Sequence, residues 1–234
     1  MKRIITEYTY TSPRIPQALT IAFVSDLHDG PYADLLPTLA ASDLILIGGD
    51  LVNRHTGGYT QAKAFLTEVC ALPQPIVYAI GNHERKFAHR EDWYAFVRQT
   101  RATFLDNAVT TVCGIDIGSL SSFHPKRAPD LSGVDALEKS CRYRLLLCHH
   151  PEYYPRYVQG RDIDLTLSGH AHGGQICLFG HGILAPGQGL FPKYTHGTYD
   201  NGKLVVSRGL TNSAGVPRIG VPLEMIVIHL KPER

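Results

Sequence analysis

TIAFVSDLH, residues 20–28, is an apolar, β-branched run that ends abruptly in a carboxylate and an imidazole. The same grammar recurs in DLILIGGD (43–50), PIVYAIGNHE (75–84), YRLLLCHHP (143–151) and DLTLSGHAH (164–172). Short continuous apolar runs of this kind are expected of strands buried on both faces. Between them, YTQAKAFLTEVCAL (59–72) spaces Ala62, Phe65, Leu66 and Val69 as one helical face. EDWYAFVRQT (91–100) does the same with Trp93, Phe96 and Val97. Strands alternating with helices predict an α/β architecture with covering helices.

The last third reads differently. TYDNGKLVVSRGL (198–210) carries Asn201-Gly202, a strong hairpin signal. PLEMIVIHL (222–230) reads as a closing strand, and the Gly-, Pro- and aromatic-rich 180–197 as an ordered loop over the strand ends. With no repeat, low-complexity tract or linker, residues 1–234 are expected to form a single domain.

Composition sets outer limits. With 44% apolar and 19% charged residues, the chain has the make-up of an ordinary globular protein. A formal net charge of +2 and no lysine/arginine run argue against a nucleic-acid partner. No window approaches the roughly 18 apolar residues of a membrane span, and the first residues lack a signal peptide's apolar core. The five scattered cysteines fit reduced thiols, hence a cytoplasmic location; Cys148, beside His149, reads as a small buried hydrophobe.

The polar strand ends matter most. Asp26, His28, Asp50, Asn82, His83, His149, His170 and His172 all follow apolar runs. In a sheet of parallel strands they gather at the carboxyl edge, where such folds bind ligands. In an extended chain His170 and His172 point to the same side and can converge, and Gly169, Gly173 and Gly174 leave room for close approach. For HxH alone, a solvated polar loop is the alternative. Imidazole, carboxylate and amide oxygen without thiolate suit Mn, Fe or Zn. Without His83 there are seven candidate ligands, too many for one four-coordinate ion and about right for two ions sharing a carboxylate.

The ordered blocks DLH, GGDLVNR, GNHE, HHP after LLLC, and GHAH resemble the calcineurin-like metallophosphoesterase family across roughly residues 20–175. GHAHGGQI, SRGL and PRIG are similar to a bacterial branch whose better-known members are often membrane-anchored, some cleaving the pyrophosphate of UDP-diacylglucosamine; this chain shows no N-terminal anchor. The resemblance implies an α/β fold with a β-sandwich flanked by helices, four layers αββα, and a dinuclear metal site at the strand ends. It implies one divalent ion (Mn, Fe or Zn) on Asp26, His28 and His172, a second on Asn82, His149 and His170, and Asp50 bridging them. His149 is preferred over His150 because the family pattern is H-x-P.

The implied activity is hydrolysis of a small phosphorylated substrate (diester, monoester or pyrophosphate) by a hydroxide bridging two ions about 3.5–4 Å apart. His83 would donate to the leaving oxygen, a contribution of about 10²–10⁴-fold. Asn53 stands where many relatives carry an aspartate, and its amide oxygen can accept the His83 ring N–H. Arg54 matches a phosphate-contacting arginine of some relatives. From the loop directly after GHAHGGQ, Phe179, Leu190, Phe191 and Tyr194 would either border the site, with Lys193, Arg208 or Arg218 holding a second anionic group, or simply pack the loop onto the sheet. His55, His89, His124, His181, His196 and His229 read as surface or structural. A degenerate scaffold binding a protein partner, or a nuclease, is the alternative. Such scaffolds lose the His83-type residue or several ligands, and here every position is filled.

Overall fold

The apolar runs become strands because each has an apolar layer on both sides. In the computed structural model, which describes residues 3–123, 128–178, 181–212 and 217–233, they order into two large sheets. The strands are β1 (Arg3–Ser12), β2 (Leu19–Val24), β3 (Leu44–Ile47), β4 (Ile76–Ala79) and β5 (Thr103–Leu105). Then come β6 (Val109–Val112), β7 (Ile115–Leu120), β8 (Arg144–Cys148) and β9 (Leu165–Ser168). Two small ladders follow, β10 (Cys177–Leu178) with β11 (His181–Gly182) and β12 (Leu184–Ala185) with β13 (Gly189–Leu190). The chain continues through β14 (Gly197–Tyr199), β15 (Leu204–Val206) and β16 (Leu223–Pro232). One sheet runs β1-β16-β2-β3-β4-β5, the other β14-β15-β9-β8-β7-β6.

Alternate side chains of each central strand serve different layers. Ile21, Phe23, Leu44, Leu46 and Val77 meet Ile117, Leu145, Leu147, Leu165 and Leu167 of the facing sheet. Their neighbours Ala22, Val24, Ile45, Ile47 and Tyr78 pack on α1 (Thr60–Ala71) and α2 (Arg90–Gln99) through Phe65, Leu66, Val69, Trp93 and Val97. On the outer face of the second sheet, Leu120, Leu146 and Val206 pack on Val134 and Leu137 of the helix Ser132–Glu138. The result is four layers, αββα, and each fully buried aliphatic or aromatic chain contributes about 1.5–3 kcal/mol.

Strands β2, β3 and β4 are parallel in one sheet, and β8, β9 and β15 in the other. Val24 pairs with Ile47 and Ile47 with Tyr78, so the residues after these strands emerge side by side. Two features differ from the sequence reading. β1 is a ten-residue edge strand with a half-buried and exposed face, lacking the apolar continuity of the others. The closing strand β16 lies inside its sheet, parallel to β1 and antiparallel to β2. The hairpin at Asn201-Gly202 forms as β14–β15. Among the described residues no helix is long and apolar enough to cross a membrane.

Candidate metal centre

The loops leaving the parallel strands β2, β3 and β9 are bent by an unusual backbone. Asp26, His28, Asp50, His170 and His172 all lie in the left-handed region, with φ of 58°, 48°, 57°, 65° and 49°. Aspartate and histidine are among the few non-glycine types enriched there, and such conformations persist only where the surroundings fix them. Here they are fixed by cross-strand bonds. Asp26 N–H donates to Gly49 O at 3.1 Å and His28 N–H to Asp50 O at 2.9 Å. Across the two sheets, His170 N–H donates to the Asp26 carboxylate at 3.1 Å. The extended HxH geometry read from the sequence is therefore not formed. His172 begins a 3-10 turn, and the two imidazoles face different groups of residues.

One group is Asp26, His28 and His172, another Asp50, His149 and His170, each with its ligating atoms within 4.8 Å of one another. Asp50 also belongs to a group with His28 and His83, which places its carboxylate between the first two. His28 Nε2 lies 3.7 Å from Asp26 Oδ1 and 3.9 Å from Asp50 Oδ2. His172 Nε2 lies 3.7 Å from Asp26 Oδ1, and His149 Nε2 3.1 Å from Asp50 Oδ2. Asn82 is buried and lines the adjoining cavity.

Burial would raise the two carboxyl groups, but the surrounding imidazoles outweigh it and hold Asp26 and Asp50 below the ordinary range. Burial would lower His149, and Asp50 and Asp26 instead raise it to about 10. Burial takes His172 down to about 4 and, with the rings of His150 and His149, takes His170 well below its usual value.

The polar atoms fit a metal centre. Both nitrogens of His28, His149 Nε2, His172 Nδ1 and Asn82 Oδ1 are buried without a hydrogen-bond partner among the described residues. An unmet buried polar atom costs about 1–3 kcal/mol, so such a cluster calls for a cation. His149 Nδ1 lies 2.8 Å from Gly48 O; a carbonyl only accepts, so one ring proton sits there, and Nε2, facing Asp50 at 3.1 Å, is the nitrogen left to ligate when a metal ion replaces its proton.

Two acidic residues that the strand-end pattern does not single out, Glu84 and Glu152, also adjoin these groups. Glu84 is fully buried in the short helix Asn82–Arg85. Its Oε2 accepts the Asp50 and Gly81 N–H groups at 2.8 and 2.9 Å; its Oε1 accepts Leu51 N–H at 2.7 Å and Tyr78 O–H at 2.9 Å. Burial and Asp50 push its pKa up, while these donors pull it back. Glu84 thus pins the loop that carries Asp50. The only hint was its place in GNHE. Glu152, after HHP, has Oε1 2.8 Å from His150 Nδ1 and 3.9 Å from His170 Nε2. His150 therefore joins Glu152 and His170, while His149 joins Asp50.

The glycines have a tighter purpose than general room for a ligand. A Cβ on Gly81 would fall on Asp50 Oδ1, and one on Gly169 would fall on Asp26 Oδ2. Each glycine seats a carboxylate.

His83 is buried, its Nε2 3.9 Å from Asp50 Oδ2. Its Nδ1 accepts the backbone N–H of Arg54 at 3.2 Å. That corrects the part read for Asn53, whose Oδ1 instead accepts the His55 N–H at 3.0 Å and closes a local turn. Burial lowers His83 to about 3. Arg208 and Arg218 also depart from the reading. Arg208 pairs with buried Glu224, and Arg218 donates to backbone carbonyls of Arg208, Thr211 and Pro222. Neither lines the cavity of about 840 Å³ that opens beside Asn82, His150 and His170. Arg54 does, and so do Phe191, Lys193 and Tyr194 from the loop after the HxH segment. Leu190 is exposed and points elsewhere; Phe179 and His124 lie outside the described residues.

The chain resembles several known proteins. It is 29% identical to an uncharacterized metallophosphoesterase of Campylobacter jejuni and 30% identical to one of Helicobacter pylori, over 95% and 94% of its own length. It spans 62% of each of those relatives. Among solved structures, a 5'-nucleotidase precursor from Thermus thermophilus superposes with a TM-score of 0.50 at 17% identity, covering 91% of this chain and 54% of that one. The sequence profile of the calcineurin-like phosphoesterases matches residues 19–182, which hold every residue of the two Asp/His groups. With two facing sheets, ligand-type residues at the strand ends and this match over well over half of its length, the chain belongs to the calcineurin-like phosphoesterase family.

Proposed function

We propose that the protein is a metal-dependent phosphohydrolase with a dinuclear centre. The observation that carries this reading is the set of buried, unpartnered imidazole and amide atoms converging on two carboxylates held ionised beside a large cavity. In this reading Asp26, His28 and His172 hold one ion, Asn82, His149 and His170 the other, and Asp50 is shared. Divalent ions of the Mn, Fe or Zn type supply, when bound, polarisation of the phosphoryl oxygens and activation of water.

The chain's own residues do the rest. The backbone N–H of Arg54 occupies His83 Nδ1, so the neutral ring carries its proton on Nε2, on the side of Asp50. From there it donates to a phosphoryl or leaving-group oxygen. Arg54 on the cavity wall, with exposed Lys86 and Lys193, draws a phosphorylated anion toward the centre.

Elemental analysis of the purified chain, followed by a phosphoester panel with Mn²⁺, Fe²⁺ and Zn²⁺, tests the reading. Two ions per chain and hydrolysis of at least one ester class are expected; protein that binds no metal contradicts it. His83→Asn separates donor from ligand. Metal content should stay at the wild-type level while kcat falls about 10²-fold or more on alkyl esters with poor leaving groups. With p-nitrophenyl esters the loss should be smaller. Equal losses would make His83 a phosphate-positioning group.

A further inference from the structure

One wall of the cavity is built almost wholly of rings. His170 lies 4.0 Å from His150, centroid to centroid; His150 stacks on Tyr153 at 4.5 Å and 14°, and Tyr153 on Phe123 at 4.4 Å and 30°. Tyr157 meets Phe123 edge-on at 5.8 Å. All five rings line the cavity, and a sixth, Phe191, joins them while remaining 80% exposed. Phe191 is held at φ 52°, its N–H donating to Ile183 O at 2.8 Å. A large aromatic kept so exposed in a left-handed backbone gains little from packing, and exposed apolar surface at a cavity marks a binding site. On the same walls, Lys86 and Arg156 are exposed and form no ion pair among the described residues.

We propose that this wall is a subsite for a planar aromatic group carried by the substrate, set apart from its phosphorus by a spacer. The inference rests on the phosphohydrolase reading and narrows its substrate to the nucleoside type of phosphoester. Geometry sets the spacer. The ring ladder starts at His170, a residue of the proposed centre, and reaches Phe123 only after three steps of 4.0–4.5 Å. A ring joined directly to phosphorus stays beside His150. Tyr153 is already stacked between His150 and Phe123, so a ring joined through a sugar-length linker passes it and reaches Phe123 and Tyr157, whose faces and edges suit stacking. The unpaired cations favour a ligand with more than one negative charge.

Calorimetric titration of the manganese-loaded full chain with phosphonates, whose P–C bond is not hydrolysed, tests this. Naphthylpropylphosphonate should bind about 10- to 100-fold more tightly than propylphosphonate, the range expected for one stacked ring. Naphthylphosphonate, lacking the spacer, should gain no more than about threefold, well short of that stacking range. Phe191→Ala and Tyr157→Ala should each remove most of the preference, Tyr157→Phe should keep it, and Leu190→Ala should leave it unchanged. Equal affinity for the long aromatic and the aliphatic phosphonate overturns the subsite. So does a preference that survives loss of both rings. Hydrolysis of the phosphoester panel (monoester, diester and pyrophosphate), followed in parallel, separates the two readings. Hydrolysis without aromatic preference rejects the subsite alone, and aromatic preference without hydrolysis rejects the hydrolase reading.

Discussion

Asp50→Asn should empty the centre. The substitution keeps the side-chain volume and one acceptor for the His83 N–H, which Asp50 Oδ1 now accepts at 2.7 Å. It removes the negative charge that faces His149 Nε2 at 3.1 Å and the rings of His28 and His83 at 3.9 Å. An amide cannot neutralise two cations. Bound metal should therefore fall well below the wild-type content. Turnover should fall by about 10³-fold or more, since the ions' electrostatic stabilisation amounts to several kcal/mol at about 1.4 kcal/mol per decade. Folding should survive, because the strands that carry the loops keep their apolar layers. A variant with full metal content and near-normal turnover would show that Asp50 is not shared between ions.

Glu84→Gln should act one layer further in, on stability as well as activity. Glu84 only accepts, taking three short bonds from backbone N–H groups and one from Tyr78 O–H. A glutamine turns one acceptor into a donor facing N–H groups that cannot rotate away. Two or more buried donors lose their partner, at about 1–3 kcal/mol each, so a total of about 3–5 kcal/mol is expected. At about 2–4 °C per kcal/mol for a chain of this size, the melting temperature should drop on the order of 10 °C. The loop bearing Asp50 should loosen with it, weakening metal binding in protein that is still folded at low temperature. Tyr78→Phe removes the bond to Glu84 and the one that Trp93 Nε1–H donates to the Tyr78 hydroxyl at 3.1 Å, so it should cost about 1–3 kcal/mol while leaving the three backbone bonds of the Asp50 loop, and metal binding, in place. If Glu84→Gln melts with the wild type and binds metal as tightly, the Asp50 loop is held by something else.

Much of this was legible because strand burial and strand-end chemistry are local signals. LILI before GGD and LLLC before HH are apolar on both faces, and that alone predicts a strand covered on each side. The ends of those runs name their own polar residues. What escaped notice depends on distant partners. RIITEYTYTS lacks a continuous apolar run, its Thr and Tyr side chains alternating with exposed Ile5 and Glu7, and pairing with β16 makes it a strand. Glu84 looks like any acid opening a helix, and its bonds to the Asp50 loop follow from β3 and β4 lying side by side. Asn53 departs for the converse reason: its place three residues after Asp50 suggests a partner for His83, yet the backbone N–H of Arg54 takes that place. Arg208 and Arg218 look like free cations until Glu224 and the carbonyls around them are in view.

The β1–β16 seam has a kinetic meaning. Arg3, at its start, reaches the carbonyl of Leu210, 207 positions away, and the ladder joins strands from the two ends of the described chain. Closing so large a loop has an entropic cost that must be met before the ladder rewards it, and non-local pairings of this kind slow folding. The parallel units β2–β3–β4 and β8–β9, separated by single helical connections, can assemble without it. β1 itself brings only half-buried and exposed side chains to the sheet, so it should be late to dock and early to detach. None of the Asp/His groups sits on it. Amide hydrogens of β1 should exchange well before those of β2 and β3, through a local opening that leaves the loops around Asp26 and Asp50 closed.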